Sequence, residues 1–370
     1  MSRNLYNRQT TLNARLKYDL PITEKLKVSV GIQTFYRKIN YNYDDSLRKQ
    51  YFDYNDTRIA GFAQISYTFS DKFSVMAGLR CENLNFNIYD TLSSSRLNYL
   101  PSASVLYKIN KNHSIRLNYK TLLTYPSYHF LTPFVYTGND SLVYSAGNPE
   151  LLPSKMQNIA LQYSFRKSMT NIIVGPYISF QDDIFGKSQQ IDGPITSMKY
   201  ENIANSRKIG GMFSATMLIG GFLVPMISVD FGYISFGDKS FEGWEYGIDA
   251  GLEMELPWDL TLEAYLSYEG TRRFYNGYSC QSPLIDEISI SKDFSNNLMV
   301  SLSFEEMFLP SKDREIRNGL DYYEKSWSET RFPTVSLFVR YVFTAGSRKI
   351  KDSDKFESLM ESESNVEKRK

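Results

Sequence analysis

Apolar and polar residues alternate one for one along most of the chain, in segments of about ten residues closed by turn chemistry, the signature of membrane-spanning strands. In the first segment Leu12, Ala14, Leu16 and Tyr18 alternate with Asn13, Arg15, Lys17 and Asp19. A turn at Pro21 to Glu24 leads to Val28, Val30 and Ile32, set between Lys27, Ser29, Gly31 and Gln33. Ala63, Ile65, Tyr67 and Phe69 pass through Ser70 to Lys72 into Phe73, Val75, Ala77 and Leu79. The plan repeats at Ala103, Val105 and Tyr107, a turn at Asn110 to His113, and Ile115, Leu117 and Tyr119. Later segments are Ile159 to Phe165, Leu262 to Tyr268, Leu298 to Phe304, and a last strand of Val335, Leu337, Val339, Tyr341 and Phe343. Successive strand residues face opposite sides, so the pattern predicts an all-β chain of about fifteen antiparallel strands, each with one greasy and one polar face.

The connections alternate as well. Tight turns at Pro21 to Glu24, Ser70 to Lys72, Asn110 to His113, Pro257 to Asp259 and Phe294 to Asn296 are separated by longer polar segments. Outer-membrane barrels have short periplasmic turns and long outer loops, which predicts a transmembrane β-barrel in the cell outer membrane with its tight turns in the periplasm. Tyr18, Tyr67, Phe69, Phe73, Tyr107 and Phe165 flank the tight turns, where an interfacial aromatic belt belongs. The barrel is expected over residues 1–343. Residues 344–370 are charged and Ser-rich and are expected to form a disordered periplasmic tail, with a short helix near Lys355 to Met360 as a minor alternative.

Composition sharpens this picture. The 370 residues include 28 Tyr and 24 Phe beside 3 Trp, 2 His and 2 Cys, and mean hydropathy is only −0.37. A barrel accounts for aromatic wealth without overall apolarity, because one residue in two faces lipid. No window carries the roughly 18 apolar residues of a spanning helix. A formal charge of +1 points to no nucleic-acid partner. Cys81 and Cys280 are too few and too far apart for a disulfide framework and read as packing residues. Met1 to Arg15 show no secretory signal; with an odd strand count, this leads to the expectation that the chain is the C-terminal part of a longer protein.

Residues Tyr125 to Ser154 stand out as the longest connection. Asn148 before Pro149 is biased toward extended backbone, Gly147 has access to angles closed to other residues, and Pro153 fixes a dihedral before the next strand. Together they predict a rigid elbow at a strand entrance. Gly147, Asn148, Pro149, Glu150, Leu151, Leu152 and Pro153 resemble the Gly-Asn-Pro-x-Leu-x-Pro-Glu element of TonB-dependent outer-membrane receptors. Pro126, Leu131, Pro133 and Phe134 are similar to elements of the Bacteroidetes-type outer-membrane β-barrel family. Ser154 stands where that family has Glu, and Tyr125 where it has Arg. The resemblance implies a 22-stranded barrel around an N-terminal plug, energised by a TonB-type inner-membrane partner. Plug and seven strands would then lie upstream, and an unidentified extracellular ligand would be bound and imported.

Within the connection Tyr128, His129, Phe134, Tyr136 and Tyr144 are candidates for stacking on a ligand; the competing reading is a structural elbow and lid. Arg15, Lys17, Gln64, Arg80, Arg116 and Arg340 fall on polar faces and are candidate lumen contacts. His113 and His129 lack companions for a metal site, so no metal or cofactor is expected. Asp182 with Asp183, and Glu305 with Glu306, read as solvated loop or lumen charges. Gly210, Gly211, Gly220 and Gly221 ease bending and turning and open no phosphate-binding helix. No nucleophile and base set can be assembled, so the chain is not expected to be an enzyme. A structural or adhesive barrel without transport is the alternative function, and a soluble β-sandwich the alternative fold, disfavoured because it would expose long apolar faces.

Overall fold

The computed structural model describes residues 4–44, 49–88, 92–132, 136–137, 142–237, 241–280, 285–295, 297–307, 312–318, 323–329 and 333–343. The segments that alternate in sequence are strands: β1 (Asn4–Pro21), β2 (Leu26–Asp44), β3 (Lys49–Ser70), β4 (Phe73–Ile88), β5 (Leu92–Lys108) and β6 (His113–Thr124). The long connection holds a one-turn helix, α1 (Tyr128–Leu131), and the short strands β7 (Tyr136–Thr137) and β8 (Val143–Ala146). Then follow β9 (Ser154–Lys167), β10 (Thr170–Asp192), β11 (Ile195–Thr216), β12 (Leu223–Phe236), β13 (Gly243–Leu256), β14 (Leu260–Glu269), β15 (Thr271–Phe274) and β16 (Gly277–Cys280). The chain closes with β17 (Ile285–Ser295), β18 (Leu298–Glu305), β19 (Lys312–Asn318), β20 (Tyr323–Glu329) and β21 (Thr334–Tyr341).

Fifteen of these strands form one antiparallel meander, β1 to β6, β9 to β14, β17, β18 and β21, each hydrogen-bonded to the next. Among the described residues β1 and β21 are not paired with each other, so the sheet keeps two edges. Register is set by the need to keep the alternating apolar row of each strand on the same face, since a one-residue slip would turn a whole strand over. The result is an unbroken cross-strand row: Leu20, Val28, Ile65, Ala77, Ala103, Tyr119, Ile159, Ile178, Ile209, Tyr233 and Trp244. This face is bare, with Leu16 68%, Ile32 62% and Leu337 70% exposed. An apolar surface of that extent is tolerable only against lipid. The opposite, inner face is polar toward the tight-turn end and carries an apolar cluster, Ile39, Phe52 and Ile88 among it, where the long connection packs.

The strands exceed the ten-residue segments of the sequence pattern. β10 has 23 residues and β3 and β11 have 22, against the roughly 9–11 that a tilted strand needs to cross a bilayer. The polar stretches expected as long loops are largely strand: they carry the hairpins on past the membrane, and β10 meets β11 across the two-residue gap of Gly193 and Pro194. Backbone groups far from the bilayer still gain from ladder pairing, and polar side chains do not oppose it. At Gly270, whose N–H bonds Tyr246 O at 2.8 Å, the chain leaves the main sheet. β15, β16, β19 and β20 then build a separate four-stranded sheet at the long-connection end.

The expected tight turns are present, joined by two that the pattern left unmarked, at Ser168–Met169 and Met217–Phe222. Gly220 and Gly221 lie in the latter, while Gly210 and Gly211 are inside β11. Tyr18, Tyr67, Phe69 and Tyr107 are exposed at this end of the sheet, and Phe69 lies 5.2 Å from Phe73 between ring centres. His113 belongs to the same belt, with Nδ1 2.6 Å from the Tyr163 hydroxyl and its ring 4.8 Å from Phe165. The last strand ends at Tyr341 rather than Phe343, whose ring meets Tyr341 edge-on at 4.6 Å. The expected tail, 344–370, and the short helix within it lie outside the described residues.

Candidate functional site

The long connection between β6 and β9 folds back against the inner face, and a buried core forms where it lands. Leu131 and Leu151 from the connection pack with Ile39, Phe52, Tyr54 and Ile88 from β2, β3 and β4. Four backbone and side-chain bonds shape the elbow. Gly147 N–H donates to Thr132 O (2.8 Å) and Asn148 N–H to Phe130 O (2.6 Å); the Asn148 side-chain oxygen accepts from Glu150 N–H (3.0 Å), and its carbonyl from Leu151 N–H (3.3 Å). Glycine is required at 147 by closeness rather than by a special backbone angle: a Cβ would stand 2.7 Å from both Phe130 O and Thr132 N. Leu151 is thereby delivered to the core, and Pro149 and Pro153 line the seam with Arg37 and Tyr125.

Residues that the motif does not contain hold the elbow to the far strands. Asn202 on β11 donates to Leu152 O (3.1 Å) and accepts from Leu152 N–H (2.8 Å), so its amide acts as one rung of a β-ladder. Buried Ser154 donates to Asp182 O (2.9 Å) and accepts from Gln181 (3.0 Å). A carboxylate at 154 has no proton to donate to Asp182 O, which gives the departure from the receptor pattern a physical reason. Asp182 and Asp183 sit on a bulge, with Asp183 at φ 56°, where the β10–β11 register shifts. The bulge, not simple alternation, sets where these carboxylates point. Further out β8 adds to β11 in parallel, Val143 opposite Thr196.

Beneath the elbow lies a buried ionic cluster. Asp56, with its side chain 1% exposed, accepts from Arg37 Nε and Nη2, each at 3.0 Å, and Arg58 Nε stands 3.6 Å from the same carboxylate. The Arg58 guanidinium is held between Phe35 (3.6 Å) and Tyr125 (4.2 Å), a cation–π sandwich in place of a second counter-ion. Tyr125 donates to Glu82, which also receives Arg80. Burial, then the neighbouring Glu82, pushes the Tyr125 phenol well above its ordinary pKa. Tyrosine at 125, where the receptor pattern has Arg, thus provides a neutral donor and a ring where Arg58 and Arg80 already supply charge.

The candidate residues named from sequence are distributed as follows. Arg15, Lys17, Gln64, Arg80, Arg116 and Arg340 all occupy inner-face register positions. Of the connection aromatics, Tyr128 and His129 lie on α1, where His129 is exposed, Tyr136 is on β7, and Tyr144 is half-buried on β8. Phe134 falls outside the described residues, as do the side-chain placements of Tyr128 and Tyr136. The ring that the structure brings inward is one the sequence reading passed over: Phe130, 4.4 Å from Tyr200 and 5.6 Å from Phe185.

Two neighbouring cavities lie on this side of the inner face, and Phe130 lines the outer one. The outer, about 440 Å³, lies among the β10–β11 hairpin, β12 and the turn between β15 and β16, whose Tyr275 hydroxyl donates to Lys187 O. The inner, about 400 Å³, runs toward the tight-turn end past Tyr177, Lys208 and Asp230, and shares Gln181, Ser206 and Ile234 with the outer one. Lys208 bridges Asp230 (3.1 Å) and Glu245 (3.2 Å). Charge on the inner face is segregated. β1 to β6 carry Arg15, Lys17, Arg37, Arg58, Arg80 and Arg116 in excess over Asp19, Asp56 and Glu82, whereas β12 to β18 carry Asp230, Glu245, Asp249, Glu253, Glu263, Glu287 and Glu305. Glu253 is paired directly with Glu263, and Glu287 with Glu305, with no cation bridging either pair among the described residues.

Residues 1–341 match the outer membrane protein beta-barrel family. No curated protein matches in sequence. Among solved structures, the copper transporter OprC is similar with a TM-score of 0.68 at 13% identity, over 92% of this chain and 59% of that one. The ferric yersiniabactin uptake receptor FyuA of Yersinia pestis gives 0.63 at 11%, over 92% and 55%. The FrpB iron transporter of Neisseria meningitidis gives 0.62 at 14%, over 90% and 55%. The chain therefore spans little more than half the length of these proteins.

Proposed function

The chain belongs to the outer membrane protein beta-barrel family, and from that premise we propose that it is the barrel of a TonB-dependent-receptor-like protein that captures an extracellular solute and passes it inward. The observation that carries this reading is the connection between β6 and β9 seated on the inner face, with two communicating cavities below it. A purely structural barrel has no need to order a connection in its own lumen, and the conformational entropy of doing so is substantial. The work is binding and passage, without covalent chemistry. A plug and a TonB-type partner, acting through a segment upstream of these strands, would gate and energise it. The experiment is a comparison of spent growth medium from cells with and without the protein. Import predicts at least one solute that stays outside in the deletion strain and is taken up again on complementation; indistinguishable media would leave a structural or adhesive role.

A further inference from the structure

The outer cavity differs from everything around it. It sits beside the acidic wall of the inner face, yet no carboxylate lines it; its charged groups are Lys187, Arg273 and Arg317. Arg317 is paired with Glu315. The Arg273 guanidinium makes no salt bridge among the described residues and donates to main-chain oxygens, Trp244 O at 3.4 Å and Phe241 O at 3.5 Å, while its backbone N–H donates to Glu245 Oε1 at 2.7 Å. Lys187 likewise makes no salt bridge among them and lies 5.8 Å from the centre of the Tyr200 ring. Two cationic side chains thus reach a ring-lined space without a salt-bridge partner among the described residues, and the mutually tilted rings of Phe130, Phe185 and Tyr200 form its apolar side.

We propose that this cavity binds a small anionic molecule bearing a flat ring, the ring stacked against Phe130 and Tyr200 and the anionic group between Lys187 and Arg273. The volume suits such a ligand, since small-molecule sites run from about 300 to 1,000 Å³. Rings offer the apolar and edge-to-face contacts that aromatic side chains favour. Hydrogen bonds with a charged group are roughly twice as strong as neutral ones, so the two cations set the sign of the ligand. The acidic wall close by repels an anion, which confines it to the cavity rather than letting it spread over the inner face. The assignment rests on the receptor reading above and names the chemical class that its first site takes.

The test uses the full chain refolded in detergent, its folding verified by heat-dependent mobility on a gel. Three probes are titrated: 4-fluorophenyl phosphate, 4-fluorophenol as ring without charge, and inorganic phosphate as charge without ring. Fluorine resonance follows the first two, and competition against the first follows the third. The aryl phosphate is expected to bind at least about tenfold more tightly than either part alone, a difference of about 1.4 kcal/mol. Lys187→Gln and Arg273→Gln should each weaken it about fivefold or more and flatten its salt dependence, while Lys72→Gln, in a tight turn, leaves it unchanged. Equal binding of the three probes, or unaltered binding by both cavity variants, overturns the proposal. A folded chain that binds none of them discards this ligand class alone, because the comparison of spent media decides the receptor reading independently.

Discussion

Asp56 is a single buried carboxylate answering two arginines, and the arrangement makes its removal severe. In Asp56→Asn both guanidinium groups lose their counter-charge in a site closed to water. Breaking a buried pair in this way costs about 3–5 kcal/mol; urea unfolding of the refolded barrel should show a loss of that order, and a loss below about 1 kcal/mol would mean that water reaches Arg37. Tyr125 behaves differently with pH. Its folded pKa is raised, so the neutral donor form is kept at neutral pH and no stability is lost there. As pH climbs past the ordinary tyrosine value of 10.0, the unfolded chain releases the proton that the folded chain still holds, and stability falls. Urea unfolding measured on either side of that pH should show a smaller loss of stability in Tyr125→Phe than in the wild type; equal losses would mean that Tyr125 does not carry the effect. Neither Asp56 nor Tyr125 was legible as special in sequence. Asp56 sits in an ordinary alternating stretch and Tyr125 opens the long connection, and the role of each comes from a partner some 20 to 40 residues away, Arg37 or Glu82, that no local pattern connects to it.

The elements were far more readable, because period and turn chemistry are local signals. Leu12 to Tyr18 and Val335 to Tyr341 already display their faces as written, and the register follows once one face must meet lipid. Strand ends were not readable: past the membrane both faces of β10 and β11 are polar, so alternation stops while the backbone ladder continues. The elbow was visible through Gly147, Asn148 and Pro149, but what anchors it, Asn202 and Ser154, was not, since any strand carries such residues. Two substitutions separate these contributions. Gly147→Ala should lift the connection off the inner face and expose it to protease while the meander keeps its heat-dependent gel mobility. Asn202→Ala removes two bonds to Leu152 and leaves that part-buried pair of backbone groups without its partner, a local cost of about 1 kcal/mol. Its readout is faster hydrogen exchange at Leu152; exchange unchanged from wild type would show that β8 alone clasps the connection.

For the molecule as a whole, the opposed faces make an unequal prediction for one residue type. Arginine placed at Val300, on the bare face, should cost about 2–4 kcal/mol if it lies near the bilayer midplane, whereas arginine at neighbouring Ser301, on the polar face, should be nearly neutral. Equal costs would contradict a lipid-facing sheet. The inner wall carries a further consequence. With cations in excess over carboxylates on β1 to β6 and carboxylates alone on the meander strands β12 to β18, the two walls differ in charge, and at physiological salt the difference is felt over about 8 Å from each wall. Any dipolar body inside, whether solute or polypeptide, meets a torque before it meets a contact, as a compass needle does. It will settle at one azimuth, and the paired acids Glu253–Glu263 and Glu287–Glu305 mark the bearing toward which its positive end turns.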